Sequence, residues 1–345
     1  MRVKLGEVCS RGSSNLKQSD VIDKSGDYPI YGAAGYIGNV DFYHQEKKYV
    51  AVVKDGAGIG RTVLLPAKSS VIGTMQYLLP SDKVSPEYLY YVVSYMHLEK
   101  YFSGATIPHI YFRDYQHEEF NLATVDEQAR IVSTLDKLQS IITHRKQQLE
   151  KLDELVKARF VEMFGEPVSN SKNWSTVALG KLTTKIGSGA TPKGGRESYG
   201  TEGISLIRSM NVHNGYFEYK ELAHISDEQA EKLDNVTINE NDVLLNITGA
   251  SVARCCIVPN DVLPARVNQH VCIIRCKNEI LPIFVCGVLT DDNYQKHLWE
   301  IAGSGATREA ITKQQIENLS MIVPPLDLQN QFAAFVEQTD KSKVV

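Results

Sequence analysis

From Thr124 to Gly165 the chain reads TVDEQARIVSTLDKLQSIITHRKQQLEKLDELVKARFVEMFG. Apolar residues recur at Ile131, Leu135, Leu138, Ile142, Leu149, Leu152, Val156 and Met163, an alternating four–three step broken only at Arg145 and Arg159. That is the seam of a coiled-coil helix. Thr124 and Glu127 have capping-box spacing at its start, and Gly165 with Pro167 closes it. About 38 helical residues make a rod of roughly 57 Å. A rod that long cannot bury its stripe against itself, so it needs a partner helix.

The sequences on either side of the rod are two diverged copies of one unit. Gly56, Ala57, Arg61, Pro66 and Gln76 recur 193 positions later as Gly249, Ala250, Arg254, Pro259 and Gln269. VVKDGAGIGRTVLLP and LNITGASVARCCIVP thus share one plan: strand, Gly turn, Arg, strand, Pro. SGAT at Ser103 recurs at Ser304, in step with Ile110/Ile311, Asp126/Asp327 and Gln128/Gln329. LGEV at Leu5 matches LGKL at Leu179, so the second copy is longer early on, and GSGATPKGGRESYG is the region expected to supply the extra length. Ordered matches with few changes of spacing are a tandem repeat. The expected fold is α+β: two tandem α/β domains (1–123 and 166–325), a coiled-coil-type helix joining them (124–165) and a second, short helix from 326.

Composition narrows the class. A chain of 345 residues suits two domains, and 43% hydrophobic with 23% charged residues is ordinary for a soluble protein. No apolar run reaches the ~18 residues of a membrane span, and MRVKLGEVCSRGSS lacks the apolar core of a secretion signal, so a cytoplasmic location is expected. A net charge of −4 argues against a protein that coats nucleic acid wholesale. The six cysteines have no disulfide-framework spacing and read as buried thiols; His270, Cys272 and Cys276 lack the second ligand pair of a metal site.

No catalytic motif emerges. VVKDGAGIGRT has neither the glycine nor the lysine of a phosphate-binding loop, and a strand follows where a dinucleotide fingerprint needs a helix. Asp41, Glu46 and Lys48 in DFYHQEKK read as a solvated charged turn. An Asn/Asp-Pro-Pro-aromatic loop for methylating a base amino group is missing, and no Ser/His/Asp or Cys/His pairing stands out. Lys185 to Gly200, KIGSGATPKGGRESYG, combines glycines with Lys, Arg, Ser and Thr, side chains suited to phosphate oxygens or to a plain surface loop. RSMNVHNGYF adds Arg208, Asn211, His213 and Asn214, types that read base edges or form a polar turn.

Taken together, the chain resembles the specificity subunit of type I DNA restriction-modification systems along nearly its whole length. The resemblance rests on the duplicated architecture and on LGKL, Thr191–Pro192, LIRSMNV, NENDVLLNITGAS, VNQHVCII, SGAT and VPPLDLQNQF in this order. It implies a non-catalytic subunit with two target-recognition domains, each reading one part of a split, asymmetric double-stranded DNA site. Helices between and after them would serve as spacer and as docking surface for two modification subunits, with restriction (motor/nuclease) subunits joining. No cofactor is expected on this chain; S-adenosylmethionine, Mg²⁺ and ATP belong to the partner subunits. Candidate DNA contacts are Lys54, Arg61, Gln76, Thr106, His109 and Arg113 in the first domain. In the second they are Lys185, Ser188, Thr191, Lys193, Arg196, Arg208, Asn211, Arg254, Asn268, Gln269, Thr307 and Arg308. Two features depart from the pattern: YPIYGAAGYIG stands where the second copy has ISLIRSMNVHNGYF, and the terminal helix is short. Two rival readings are a coiled-coil adaptor with two protein-binding domains and a free-standing DNA methyltransferase or nuclease.

Overall fold

The computed structural model describes residues 1–104, 107–192, 194–303 and 309–343. They form two compact units, Met1–Arg145 and Lys146–Val345, which divide within one continuous helix, Val125–Phe164. At forty residues it is about 60 Å long. The capping box forms as the spacing requires: the Glu127 N–H donates to Thr124 Oγ1 at 3.4 Å, and the Thr124 N–H donates to Glu127 Oε2 at 2.9 Å. Gly165, at φ +77°, ends the helix in the left-handed region that glycine enters without strain.

The apolar seam is covered unevenly. Phe160 and Phe164 sit in the core of the second unit, their ring centroids 4.8 to 5.6 Å from those of Phe284 and Phe332. The terminal helix, Leu326–Lys343, runs antiparallel to this end of the long helix: Phe332 meets Phe160, the Phe335 ring lies under Arg159, and Lys343 pairs with Asp153 at 2.7 Å. Leu138 and Ile142, on the half of the helix that belongs to the first unit, remain half-exposed.

Each unit is built on the same sheet plan. In the first, a four-stranded antiparallel sheet has the order Cys9–Ser13, Met75–Pro80, Tyr49–Val53, Thr62–Leu65. Beside it, Tyr28–Gly32 pairs antiparallel with Gly35–Val40 and parallel with Ser70–Val71. In the second unit the order is Thr183–Ser188, Val271–Cys276, Val243–Asn246, Cys255–Ile257. There Ile204–Ile207 pairs antiparallel with Ala223–Ile225 and parallel with Ala265–Val267. Short ribbons, Arg2–Lys4 with Glu119–Asn121 and Thr176–Ala178 with Ser320–Ile322, close each unit at the base of a long or terminal helix. The strand Tyr49–Val53 is buried on both faces and is correspondingly an unbroken apolar run. Val50 and Val52 pack toward Leu89 and Val93 of the helix Pro86–Tyr95, while Tyr49, Ala51 and Val53 pack toward Val71, Met75 and Tyr77.

Register corrects two points of the sequence comparison. Val50 pairs with Leu64 and Leu78, and Val243 pairs with Ile257 and Ile274. Leu78 and Ile274 are therefore counterparts, which places Gln76 opposite Cys272 and not Gln269. The second correction concerns the extra length, which does not come from GSGATPKGGRESYG. The strands before and after that loop stay nearly in step, with one residue absorbed by a bulge between Thr183 and Lys185. The additions lie farther on. Ile30 pairs with Gly38 across a tight turn, whereas Leu206 pairs with Ala223 across a segment carrying its own hairpin, Val212–His213 with Tyr216–Phe217. The helix Asp227–Glu231 then lengthens the next connection.

Candidate nucleic-acid interface

The sheet plan gathers one set of loops at one end of each unit. In the first unit Ser13↔Gln76, Val53↔Met75, Val52↔Thr62 and Tyr31↔Val71 are end pairs. Loops 14–27, 32–35, 54–61 and 72–74 therefore leave the sheets side by side. Ser188↔Cys272, Asn246↔Val271, Leu245↔Cys255 and Ile207↔Val267 do the same for 189–203, 208–222, 247–254 and 268–270. The residues that follow SGAT in the sequence, Pro108 to Ile110 and Glu309 to Ile311, join this end in both copies. Gly56 N–H donates to Pro108 O at 3.0 Å and Ile110 N–H to Lys54 O at 3.0 Å; Gly249 N–H donates to Glu309 O at 3.0 Å and Ile311 N–H to Ile247 O at 2.9 Å. Gly56 and Gly249 hold φ of +92° and +72°, so the turn that bonds to Pro108 and to Glu309 needs glycine in both copies.

On this common backbone the two units carry different side chains. In the first, Asp55 is the hub. Its carboxylate accepts from His109 Nδ1 at 2.6 Å and from the Lys54 ammonium. Because the carboxylate only accepts, His109 Nδ1 donates to it, and its Nε2 has no hydrogen-bond partner among the described residues. His109 is stacked against Tyr111, and the Arg113 guanidinium lies over the Tyr111 ring, 4.8 Å from its centroid. The Arg61 guanidinium is exposed and donates to Ala33 O.

Thr248 takes the place of Asp55 in the second unit, and the histidine comes from a different loop. His270 Nδ1 lies 2.6 Å from Thr248 Oγ1, and the Gln269 amide nitrogen donates to His270 Nε2 at 3.0 Å. Gln269 Oε1 in turn accepts from the Thr191 hydroxyl. The chain of bonds is therefore directional, Thr191 to Gln269 to His270 to Thr248, and it leaves the Thr248 hydroxyl hydrogen unassigned. It is neutral throughout and holds the exposed Gln269 in place.

A family model described as the type I restriction modification DNA specificity domain matches residues 1–153 and 171–344. The chain belongs to that family. It is 23% identical over 265 residues to the type I restriction enzyme EcoBI specificity subunit of Escherichia coli. That match takes in 68% of this chain and 54% of the relative, so the chain spans about half the length of the curated relative it matches. Among solved structures, the type I restriction-modification S subunit from M. genitalium superimposes with a TM-score of 0.65 at 16% identity, covering 99% of this chain and 90% of that one. A chain from a study of complex assembly and conformational transition of the type I R-M system gives 0.53 at 16% identity, covering 100% and 90%. These likenesses establish the fold.

Within this specificity-domain framework the structure sorts the candidates. Lys54, Arg61, His109 and Arg113 lie on the loop end of the first unit, and Ser188, Thr191, Arg254 and Gln269 on that of the second. Thr106, Lys193, Thr307 and Arg308 lie outside the described residues, as does the side chain of Arg196.

Three others are buried, and a fourth points away from the loop end. Gln76 is 3% exposed and donates to the Tyr115 hydroxyl inside the core. Asn211 is fully buried: it accepts from Arg208 N–H at 3.1 Å and donates to Glu218 O and Lys220 O at 2.9 and 3.3 Å, holding the added hairpin to its base. Asn268, 7% exposed, accepts from His270 N–H at 3.0 Å and shapes the turn beneath Gln269. Lys185 donates to Asn235 O at 2.6 Å, away from the loop end, and burial with Arg275 nearby pulls its pKa below the ordinary lysine value. Arg208 sits between, half-buried over the Tyr199 ring and donating to Glu221 O.

The sequence reading missed Asp55, Thr248 and His270 as organisers. The signal was present: Asp55 and Thr248 stand immediately before the matched glycines Gly56 and Gly249. Buried thiols were expected, and the described cysteines are unpaired, with only Cys276 short of full burial. Burial pushes the Cys9 and Cys272 thiols up to about 12, above the range where a thiolate acts as nucleophile. No group of three or more metal-ligating side chains occurs among the described residues. No described helix is long and apolar enough to cross a membrane.

Proposed function

We propose that this chain is the non-catalytic, DNA-reading subunit of a type I restriction-modification complex. Each recognition domain reads one half of a split, asymmetric site on double-stranded DNA. The observation that carries the reading is the common loop end: one backbone frame, built twice, with an ionic cluster on one copy and a neutral hydrogen-bond chain on the other. Identical copies would favour a palindrome, and different ones suit two unlike half-sites. The long helix would space the half-sites, since one turn of B-DNA is roughly 34 Å. The helices would dock two modification subunits that carry S-adenosylmethionine and methylate adenines, with restriction subunits joining.

Arg61 and Arg113 suit phosphate or guanine in the first domain, and Nε2 of His109 suits a base edge. In the second, Gln269 held by Thr191 and His270 suits adenine N6 and N7, with Ser188 and Arg254 beside it. Thr106, Lys193, Arg196, Thr307 and Arg308 remain candidates by residue type and loop position.

Co-expression with cognate modification subunits, followed by mapping of methylated adenines, tests the reading. The expected result is methylation at one bipartite sequence; methylation nowhere, or at sites unchanged when this chain is omitted, overturns it. The exposed Leu138 and Ile142 also suit an adaptor that binds only proteins. Retention on DNA that weakens steeply with salt separates the two, because release of counterions from phosphates gives that slope and an apolar protein contact does not.

A further inference from the structure

A single buried carboxamide recurs at the root of both helices that leave the recognition domains. Gln128 is 1% exposed. Its Oε1 accepts the Ser85 N–H at 2.9 Å, and its Nε2 donates to Lys83 O at 2.9 Å and Ala123 O at 3.0 Å. Gln329 is fully buried. Its Oε1 accepts the Leu281 N–H at 2.8 Å, and its Nε2 donates to Pro324 O at 2.8 Å. Ser85 and Leu281 each stand immediately before the proline that opens a domain helix, Pro86–Tyr95 and Pro282–Thr290. Ala123 and Pro324 lie just ahead of the long and terminal helices. In each unit, then, one side chain bridges the start of a domain helix and the start of the helix that leaves the domain.

Capping alone does not account for this. In the first unit both helix starts are already capped by their own side chains: Ser85 Oγ accepts the Tyr88 N–H at 3.1 Å, and Thr124 forms its box with Glu127. Neither cap has a counterpart in the second unit, where Leu281 offers no side-chain oxygen and Pro325 and Leu328 occupy the box positions. The segments that the glutamines join, KVSPE and EILPI, share only the proline. The glutamine bridge is thus the same where the caps are present and where they are lost. Its common element is the link between two helices, with one flat group serving as acceptor and donor at once.

We propose that Gln128 and Gln329 are positioning residues that fix the angle of each recognition domain on the helix leaving it. Through that angle they set the spacing between half-sites that the subunit accepts. This rests on the reading of a split DNA site given above. Both side chains are buried, so neither touches DNA, and their loss acts on spacing without changing which bases are read.

The test uses the full chain co-expressed with its modification subunits. DNA substrates carry the two mapped half-sites at the natural gap and at one base pair more or less. The wild-type chain is expected to direct methylation at one gap. Gln128→Met and Gln329→Met keep side-chain length but remove the bridge, and each should lower discrimination between gaps by about tenfold, the scale of one or two lost buried hydrogen bonds. Base discrimination within each half-site should stay unchanged. Gln128→Asn, which keeps the carboxamide but is one methylene short of bridging both helix starts, should fall between, and it serves as the test if the methionine variant does not fold. Wild-type gap selectivity in a folded variant overturns the inference, as does equal loss of methylation at every gap and base. A wild-type chain that directs no bipartite methylation removes the reading beneath it, a result distinct from either.

Discussion

The two recognition domains place different chemistry on one frame, at the loop end and in the core alike. At the loop end, Asp55 binds a lysine and a histidine, whereas Thr248 ends a neutral chain from Thr191. In the core the pattern reverses. Tyr49 and Asp242 hold the same place, one residue ahead of the paired Val50 and Val243. Tyr49 accepts from the Ser69 hydroxyl at 2.9 Å, while the fully buried Asp242 takes two bonds from Arg275 at 2.8 and 2.7 Å and the Asn239 N–H at 2.8 Å. The frame therefore tolerates a charged pair wherever the surroundings complete its bonds. What is common to both copies is the backbone frame, with its turn glycines and strand order, and the two buried glutamine bridges.

Removing that asymmetry in the core should produce the largest effect. Asp242→Ala strands the Arg275 guanidinium in a partly buried site and should cost about 3–5 kcal/mol. Tyr49→Phe removes one hydroxyl and should cost about 0.5–1.5 kcal/mol. Urea unfolding followed by thiol labelling separates the domains, because Cys9 is the first unit's only cysteine and the other five lie in the second. Equal costs in the two domains would show that the pair at Asp242 contributes no more than a neutral hydrogen bond.

Next comes the added hairpin, which the first domain replaces by the tight turn between Gly32 and Gly35. Asn211→Ala leaves two carbonyls and an N–H without their partner and should cost about 1–3 kcal/mol, confined to the second domain's thiols. An unchanged midpoint would mean that the hairpin stands without its asparagine.

The same asparagine shows how far residue type could carry the reading. The long helix, its capping box and the duplication were legible because periodicity and spacing are properties of the chain alone. Whether a loop amide faces outward is not, since a turn's unpaired backbone groups compete for it. Asn211 and Asn268 turn inward for that reason, while Gln269, next to Asn268, stays exposed. Gln76 was misplaced because the register slips by three between the matched Gly turns and the following strand, so a comparison held at the earlier spacing met Gln269 by coincidence.

On the proposed reading of a split DNA site, the comparison at the loop end becomes a contrast of half-sites. Gln269→Ala should lose about 1–3 kcal/mol of discrimination at one base pair of one half-site and none in the other. His109→Ala should do the converse. Methylation of substrates mutated one base at a time reads both, and uniform weakening at every position would mark these residues as phosphate contacts.

The smallest expected effect separates two ways of lowering a carboxyl pKa. Burial pulls the Glu118 pKa up, but bonds from Lys100 and Tyr101, each 2.5 Å, outweigh it and hold the group below the ordinary 4.5. Glu166 in the second unit is likewise opposed by burial and lowered by bonds from Ser169 and from the Val168 N–H. A depressed folded pKa contributes stability that is fully present above the unfolded value and is lost as pH falls through the folded one. Glu118→Gln and Glu166→Gln should each therefore flatten the fall in stability of their own domain below about pH 4.5. Salt should distinguish them. The Lys100 ammonium is half-exposed and at 1 M ionic strength the screening length is only about 3 Å, so the Glu118 contribution should shrink. Neutral donors hold Glu166, and its contribution should persist. Equal salt sensitivity of the two variants would show that hydrogen bonding from Tyr101, rather than the charge on Lys100, holds Glu118 ionised.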